Sequence, residues 1–203
     1  SMNRGEYIGE NFKKCKTKIL ILGESHHDEP QGEPVKYETK RVVNDYLRAK
    51  RGEIKMDRAW YFFTKIAHAF DCHWGTEEVL DFWSKVCFGN YIDVNCGVKS
   101  NTAKKHLSIE KNRVKLNDAL FKFVNDNNID CVVCLGKLVY NNLPSCSRDE
   151  KWNAGKTQYR ANIEHQHTKI SLKKDLEVIS LPHPSGFGFK PADYNEKLNV
   201  LLK

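Results

Sequence analysis

The chain has 203 residues, a formal net charge of +7 and a sequence isoelectric point near 9.0, with 40% hydrophobic residues. That length supports one domain with a full core, and no apolar run approaches the ~20 residues of a membrane-spanning helix. The basic balance suggests a polyanionic partner, although many soluble proteins are basic without one.

The first predicted element is a buried strand at Lys18–Leu22, short, apolar and stopped by Gly23. Residues 31–34, the end of the proline- and glycine-bearing stretch "EPQGEP", read as a loop, and helical spacing follows at Val42, Val43, Tyr46 and Leu47. Asp57 suits the cap of a second helix carrying Ala59, Phe63, Ile66, Ala67 and Phe70 on one face. Thr76 opens a third, with Val79, Phe82, Trp83 and Val86 in phase. "NYIDVN", residues 90–95, is expected to be the second strand. A long basic helix is expected from about Ala103 to Asn125, with Leu116, Leu120, Phe123 and Val124 buried. "DCVVCLG", residues 130–136, is a third strand, again stopped by glycine. Residues 144–176 show no clean period and are expected to form an irregular insertion or a weak hairpin. "EVISL", residues 177–181, is the fourth strand, and Pro191 suits the first turn of a final helix carrying Tyr194, Leu198, Leu201 and Leu202.

Strands alternating with helices favour a parallel sheet covered on both faces, with ligands at the carboxyl ends of its strands. Residues 23–28, 95–99, 136–137 and 183–185 should then emerge around one cleft, with Asn90 at the start of the second strand. Two basic stretches could flank its mouth. One runs from Lys137 to Lys174, with eight Lys or Arg against three Asp or Glu. The other comprises Lys99, Lys104, Lys105, His106 and Lys111.

Ser1 before Met2 reads as a cloning remnant, so the expectation is a single domain over residues 2–203, intracellular and monomeric. The seven cysteines are expected to be reduced thiols. Cys131 and Cys134 form a CxxC, but positions i and i+3 of a strand face opposite ways, which argues against a metal cluster. Adjacent His26 and His27 beside Asp28 invite a metal reading, yet neighbouring side chains rarely converge on one ion and no fourth ligand is evident. No cofactor or metal is expected.

Four stretches taken in order carry a resemblance: "ILGES" ending the first strand, "GNYIDVN" at the second, "VVCLG" at the third and "PHPSG" after the last. Together they resemble the uracil-DNA glycosylase superfamily over about Lys18 to Leu202, with residues 144–176 outside the match. The resemblance implies an α/β fold, a three-layer αβα sandwich with a central four-stranded parallel sheet. It implies an enzyme that flips a deaminated base out of DNA and hydrolyses its N-glycosidic bond.

Carried over by position, Asn90 would read the base, since an amide offers one donor and one acceptor together. A structural asparagine at a strand start is the plain alternative. His183 would hydrogen-bond the leaving base as charge develops on it, held in a stiff turn by Pro182 and Pro184. Tyr37 or Phe62 would stack on the base, and His27 sits where some members block a thymine methyl. After the motif, Phe187 or Phe189 would enter the space of the flipped base, with Ser185, Lys190 and Lys137 contacting DNA. Ser25 replaces the aspartate or asparagine that commonly positions the attacking water, so Glu24, Asp28 or a water held by Ser25 would have to serve. The expected partner is DNA, or a nucleotide or base, with no membrane. A non-catalytic nucleic-acid or nucleotide-binding module of the same fold is the competing reading. A hydrolase of a small nucleotide-like substrate is a third.

Overall fold

The computed structural model describes residues 5–26, 38–94, 96–97, 101–144 and 155–203. The expected site residues His27, Asp28 and Tyr37 lie outside them, as does the loop at 31–34.

The chain folds into a mixed six-stranded sheet. Its strands are β1 (Tyr7–Ile8), β2 (Ile19–Gly23), β3 (Cys87–Asn90), β4 (Cys131–Leu135), β5 (Lys156–Tyr159) and β6 (Leu176–Leu181), in the order β1-β3-β2-β4-β6-β5. The four inner strands pair in parallel, and the two edge strands are antiparallel to their neighbours. The sheet is therefore larger than the four strands expected. Both edges come from segments with weak signals: β1 has two residues, and β5 lies inside the stretch 144–176 and pairs back on β6.

The inner strands read as near-continuous apolar runs because both of their faces are covered. Alternation sorts the side chains between two cores. Leu20, Leu22, Val132, Cys134 and Val178 join one, with α4 (Thr102–Ser108), α5 (Glu110–Asp126) and α6 (Lys137–Asn142). Ile19, Ile21, Cys131, Val133 and Ile179 join the other, with α1 (Glu38–Lys50), α2 (Tyr61–Phe70), α3 (Thr76–Ser84) and α7 (Asn195–Asn199). Cys131 and Cys134 thus sit in different cores, as their strand spacing requires. Trp83 anchors the second core, fully buried against Tyr7, Tyr46, Phe63, Phe82 and Phe88. Burial of a large apolar side chain stabilises by roughly 1.5–3 kcal/mol.

Three boundaries differ from the sequence reading in ways that matter. The long basic helix is two helices, broken where Ile109 turns extended at φ −87°, ψ 113°. The final helix is a short α-helical stretch between two 3-10 turns, with Leu198 buried and Leu202 exposed. The second strand runs from Cys87 to Asn90 rather than from Asn90 onward. Val86 falls on the apolar phase of α3 and so reads as helix, but the helix stops at Ser84 and Val86 leads into the strand. Asn90 consequently lies at the carboxyl end of β3, beside the ends of its parallel neighbours. No helix among the described residues is long and apolar enough to cross a membrane.

Candidate functional site

The parallel strands deliver their carboxyl ends to one edge, and the loop after β2 is fixed there by backbone bonds. Gly23 O accepts from Tyr91 N at 2.8 Å, Glu24 O from Ile92 N at 2.9 Å, and His26 O from Cys96 N at 2.8 Å. The loop is thereby laced to the segment that follows Asn90. His26 Nε2 meets Thr39 Oγ1 at 2.8 Å, which ties the same loop to the start of α1. Ser25 Oγ lies 3.5 Å from Glu24 Oε1 and also hydrogen-bonds the Cys96 thiol. Burial pushes that thiol up, with Ser25 partly offsetting the rise, so Cys96 stays protonated and inert at neutral pH.

Gly23 stands opposite Asn90 in the β2–β3 register. A Cβ on Gly23 would fall 2.5 Å from Asn90 Oδ1, so the missing side chain makes room for the amide. His183, in the loop after β6, takes a hydrogen bond on Nδ1 from Ser185 N at 3.2 Å. In the neutral ring the proton therefore resides on Nε2, which makes that atom a donor. Phe62 of α2 packs on the His183 ring, centroids 5.5 Å apart at 32°, and edge-on against Phe88. Lys65 Nζ reaches Pro184 O at 3.4 Å and braces the loop from below.

These groups line one cavity of about 510 Å³. Glu24, Ser25, Asn90, Phe62, His183 and Ser185 all contribute, within the ~300–1,000 Å³ range of small-molecule sites. The remaining wall includes Glu38, Arg41, Asp57 and Trp60, which the sequence reading did not place at the site. Only the i,i+3 pair Glu38–Arg41 and the tryptophan preceding α2 hinted at them. The Arg41 guanidinium is engaged by Glu38 and, at 3.1 Å, by Asp45, and it holds the Glu38 carboxyl below its usual range. Glu24, Glu38 and Asp57 outnumber Arg41 along this lining, so the formal charge of the cavity is negative.

A second cavity, of about 570 Å³, adjoins the first. Glu24 and His183 line both. Its other walls are Gly136 and Lys137 at the start of α6, Lys104 of α4, and the loop Gly186–Phe189 with Tyr194. Gly136 adopts φ +96°, a conformation that favours glycine, and a Cβ there would meet the His183 side chain at an ordinary van der Waals distance of 3.6 Å. The two candidate loop rings part company here. Phe189 stacks on Tyr194 at 5.2 Å and 20° and packs on the core, whereas Phe187 is 109% exposed. Lys190 is exposed beside them.

The two basic stretches contribute unequally. Each sends one lysine, Lys104 and Lys137, to the second cavity. Lys174 instead pairs with Asp130 before β4 and Lys156 with Glu177 of β6, away from the carboxyl ends of those strands. Another cavity of about 500 Å³, between β1 and α3, is lined by Tyr7, Glu10, Arg51, Glu77 and Asp81 and shares no residue with the site. Among the described residues no group of three or more His, Cys, Asp or Glu is placed to hold a metal ion. Comparison of the sequence with protein-family models and with curated proteins returns no match.

Proposed function

We propose that this chain is a DNA glycosylase-like protein, a diverged relative of the uracil-DNA glycosylases with their three-layer arrangement around parallel strands. It would bind a flipped, deaminated base and hydrolyse its N-glycosidic bond. The observation that carries the reading is the convergence of Glu24, Asn90 and His183 on one cavity at the ends of β2, β3 and β6. Asn90 pairs with the edge of the base through its donor and acceptor together. His183 donates from Nε2 to the carbonyl oxygen of the base as the C1′–N bond breaks and its electron pair moves onto the base. Water adds to the cationic sugar at C1′ and yields its proton to Glu24, which takes the role that aspartate has in relatives with that residue at the Ser25 position.

A non-catalytic binder is the second reading, and Ser25 is the observation that favours it. Its hydroxyl is occupied by Glu24 and Cys96, and it brings no carboxylate of its own.

The deciding experiment is an abasic-site assay on labelled oligonucleotides carrying uracil, hypoxanthine or xanthine, single- and double-stranded, with binding followed in parallel across salt. Base release identifies the enzyme. Steeply salt-dependent binding without release identifies the binding module. Neither activity on any oligonucleotide sinks both readings.

A further inference from the structure

We propose that the first cavity also accepts guanine alkylated at N7, a base that carries a positive charge, and releases it as a neutral molecule. This rests on the first cavity being the base pocket, and it adds a substrate class to the deaminated bases of that reading. The charge of the lining carries it. With His26 and His183 neutral, the carboxylates of Glu24, Glu38 and Asp57 stand against the single guanidinium of Arg41. That guanidinium is itself engaged by Glu38 and Asp45. A cleft lined by one sign of charge concentrates ligands of the other. Trp60 and Phe62 add aromatic surface to the same lining, and an aromatic face attracts a cation. At about 510 Å³ the cavity has room for the fused rings of a purine. Asn90 suits such a base, since guanine offers O6 as acceptor and N1–H as donor, the same pair as O4 and N3–H of uracil.

The sign of the lining also bears on the chemistry. When uracil leaves, the electron pair of the C1′–N bond makes the base an anion, and the surrounding carboxylates oppose that charge. His183 Nε2 has to offset it. When N7-alkylguanine leaves, the pair of the C1′–N9 bond cancels a charge already on the ring, and the positive charge passes to the sugar. Water adds at C1′ and yields its proton to Glu24, so the products are the neutral base, an abasic sugar and one proton. Positive charge stays within the acidic lining until that proton leaves, and the departing base needs no donor. His183 is therefore required for one substrate class and dispensable for the other.

The test follows base release from matched oligonucleotides carrying a single deoxyuridine or a single N7-methyldeoxyguanosine, with unmodified guanine and protein-free samples as controls for spontaneous loss. Wild type should release N7-methylguanine above the protein-free rate and leave guanine in place. His183→Ala should lower uracil release by about a hundred- to a thousand-fold and N7-methylguanine release by less than about five-fold. Asp57→Asn keeps an oxygen for the Ala59 N–H and removes one charge. It should lower N7-methylguanine release by about two- to five-fold and hold or raise that of uracil. Uracil release without N7-methylguanine release overturns the proposal and leaves the base-pocket reading standing. So does a His183→Ala defect of equal size on both substrates. Release of N7-methylguanine alone upholds the proposal and removes deaminated bases from the reading. Release of neither base removes the enzyme reading and the proposal with it.

Discussion

Asn90 faces Gly23 across the parallel pair β2–β3, and its amide oxygen occupies the space where a side chain on Gly23 would begin. Asn90 lines the cavity together with Glu24 and His183, and Gly23 gives its amide the room to sit there. Gly23→Ala is predicted to displace the amide rather than the strand, because a side-chain tip yields more easily than backbone, although the Phe88 ring at 3.1 Å resists. The expected cost in stability is about 1–3 kcal/mol by overpacking. Base release should fall about a hundred-fold, since small misplacements of a positioning group cost that much. Urea unfolding and the abasic-site assay read the two effects. Unchanged release in a folded Gly23→Ala protein refutes the role given to Asn90.

His183 is fixed by Ser185 N on one nitrogen and by Phe62 on its face. Such a preorganised donor typically contributes a hundred- to a thousand-fold in rate. His183→Ala should lower base release by about that factor, and Ser25→Asp, which adds a carboxylate beside Glu24, should hold or raise it. Single-turnover rates on the best substrate check both. A His183→Ala rate equal to wild type excludes leaving-group stabilisation by this residue.

A buried polar hub supports the segment behind Asn90. Asn117, fully buried, accepts from Tyr91 Oη at 2.6 Å and donates to the carbonyls of Asn142 and His167 at 3.1 and 3.0 Å. It joins the chain after β3 to α5, α6 and the segment before β6. Asn117→Ala removes three hydrogen bonds and leaves the His167 carbonyl without this donor, so a loss of about 2–4 kcal/mol is expected in urea unfolding. A loss below about 1 kcal/mol would show that water replaces the amide without penalty.

Tyr7 and Tyr46 are buried phenols, and burial pushes each up to about 12. The folded state therefore holds their protons more tightly than the unfolded state, whose phenols titrate near 10. Their contribution is complete below about pH 10 and is lost as pH rises toward 12, at roughly 1.4 kcal/mol per pH unit for each group. Denaturation midpoints measured at pH 9 and 11 should fall accordingly. Tyr46→Phe, which has no proton to lose, should flatten the decline. An equally steep decline in that variant assigns the alkaline sensitivity elsewhere.

Much of the sheet was legible because its evidence is local. β2, β4 and β6 are apolar runs, the first two closed by glycine, and a strand buried on both faces needs no partner in sequence to be recognised. The polar residues after β2 and β6 followed from the same logic, since parallel strands release their loops on one edge. The edge strands were not legible: β1 and β5 owe their state to pairing with strands about eighty and twenty residues away in sequence. Nor was the end of β3, where Val86 keeps the phase of α3 and hides the strand start. That boundary moved Asn90 from the far end of a strand into the site. The sequence likewise proposed two phenylalanines and two basic stretches without choosing among them. Packing chose: Tyr194 takes Phe189 and leaves Phe187 exposed, and ion pairs occupy Lys156 and Lys174 while Lys104 and Lys137 line the cavity. Apolar periodicity reports which residues a chain must bury, and it carries no record of which distant segment will meet them. Register, edges and the facing of side chains across a cleft are set only when those segments come together.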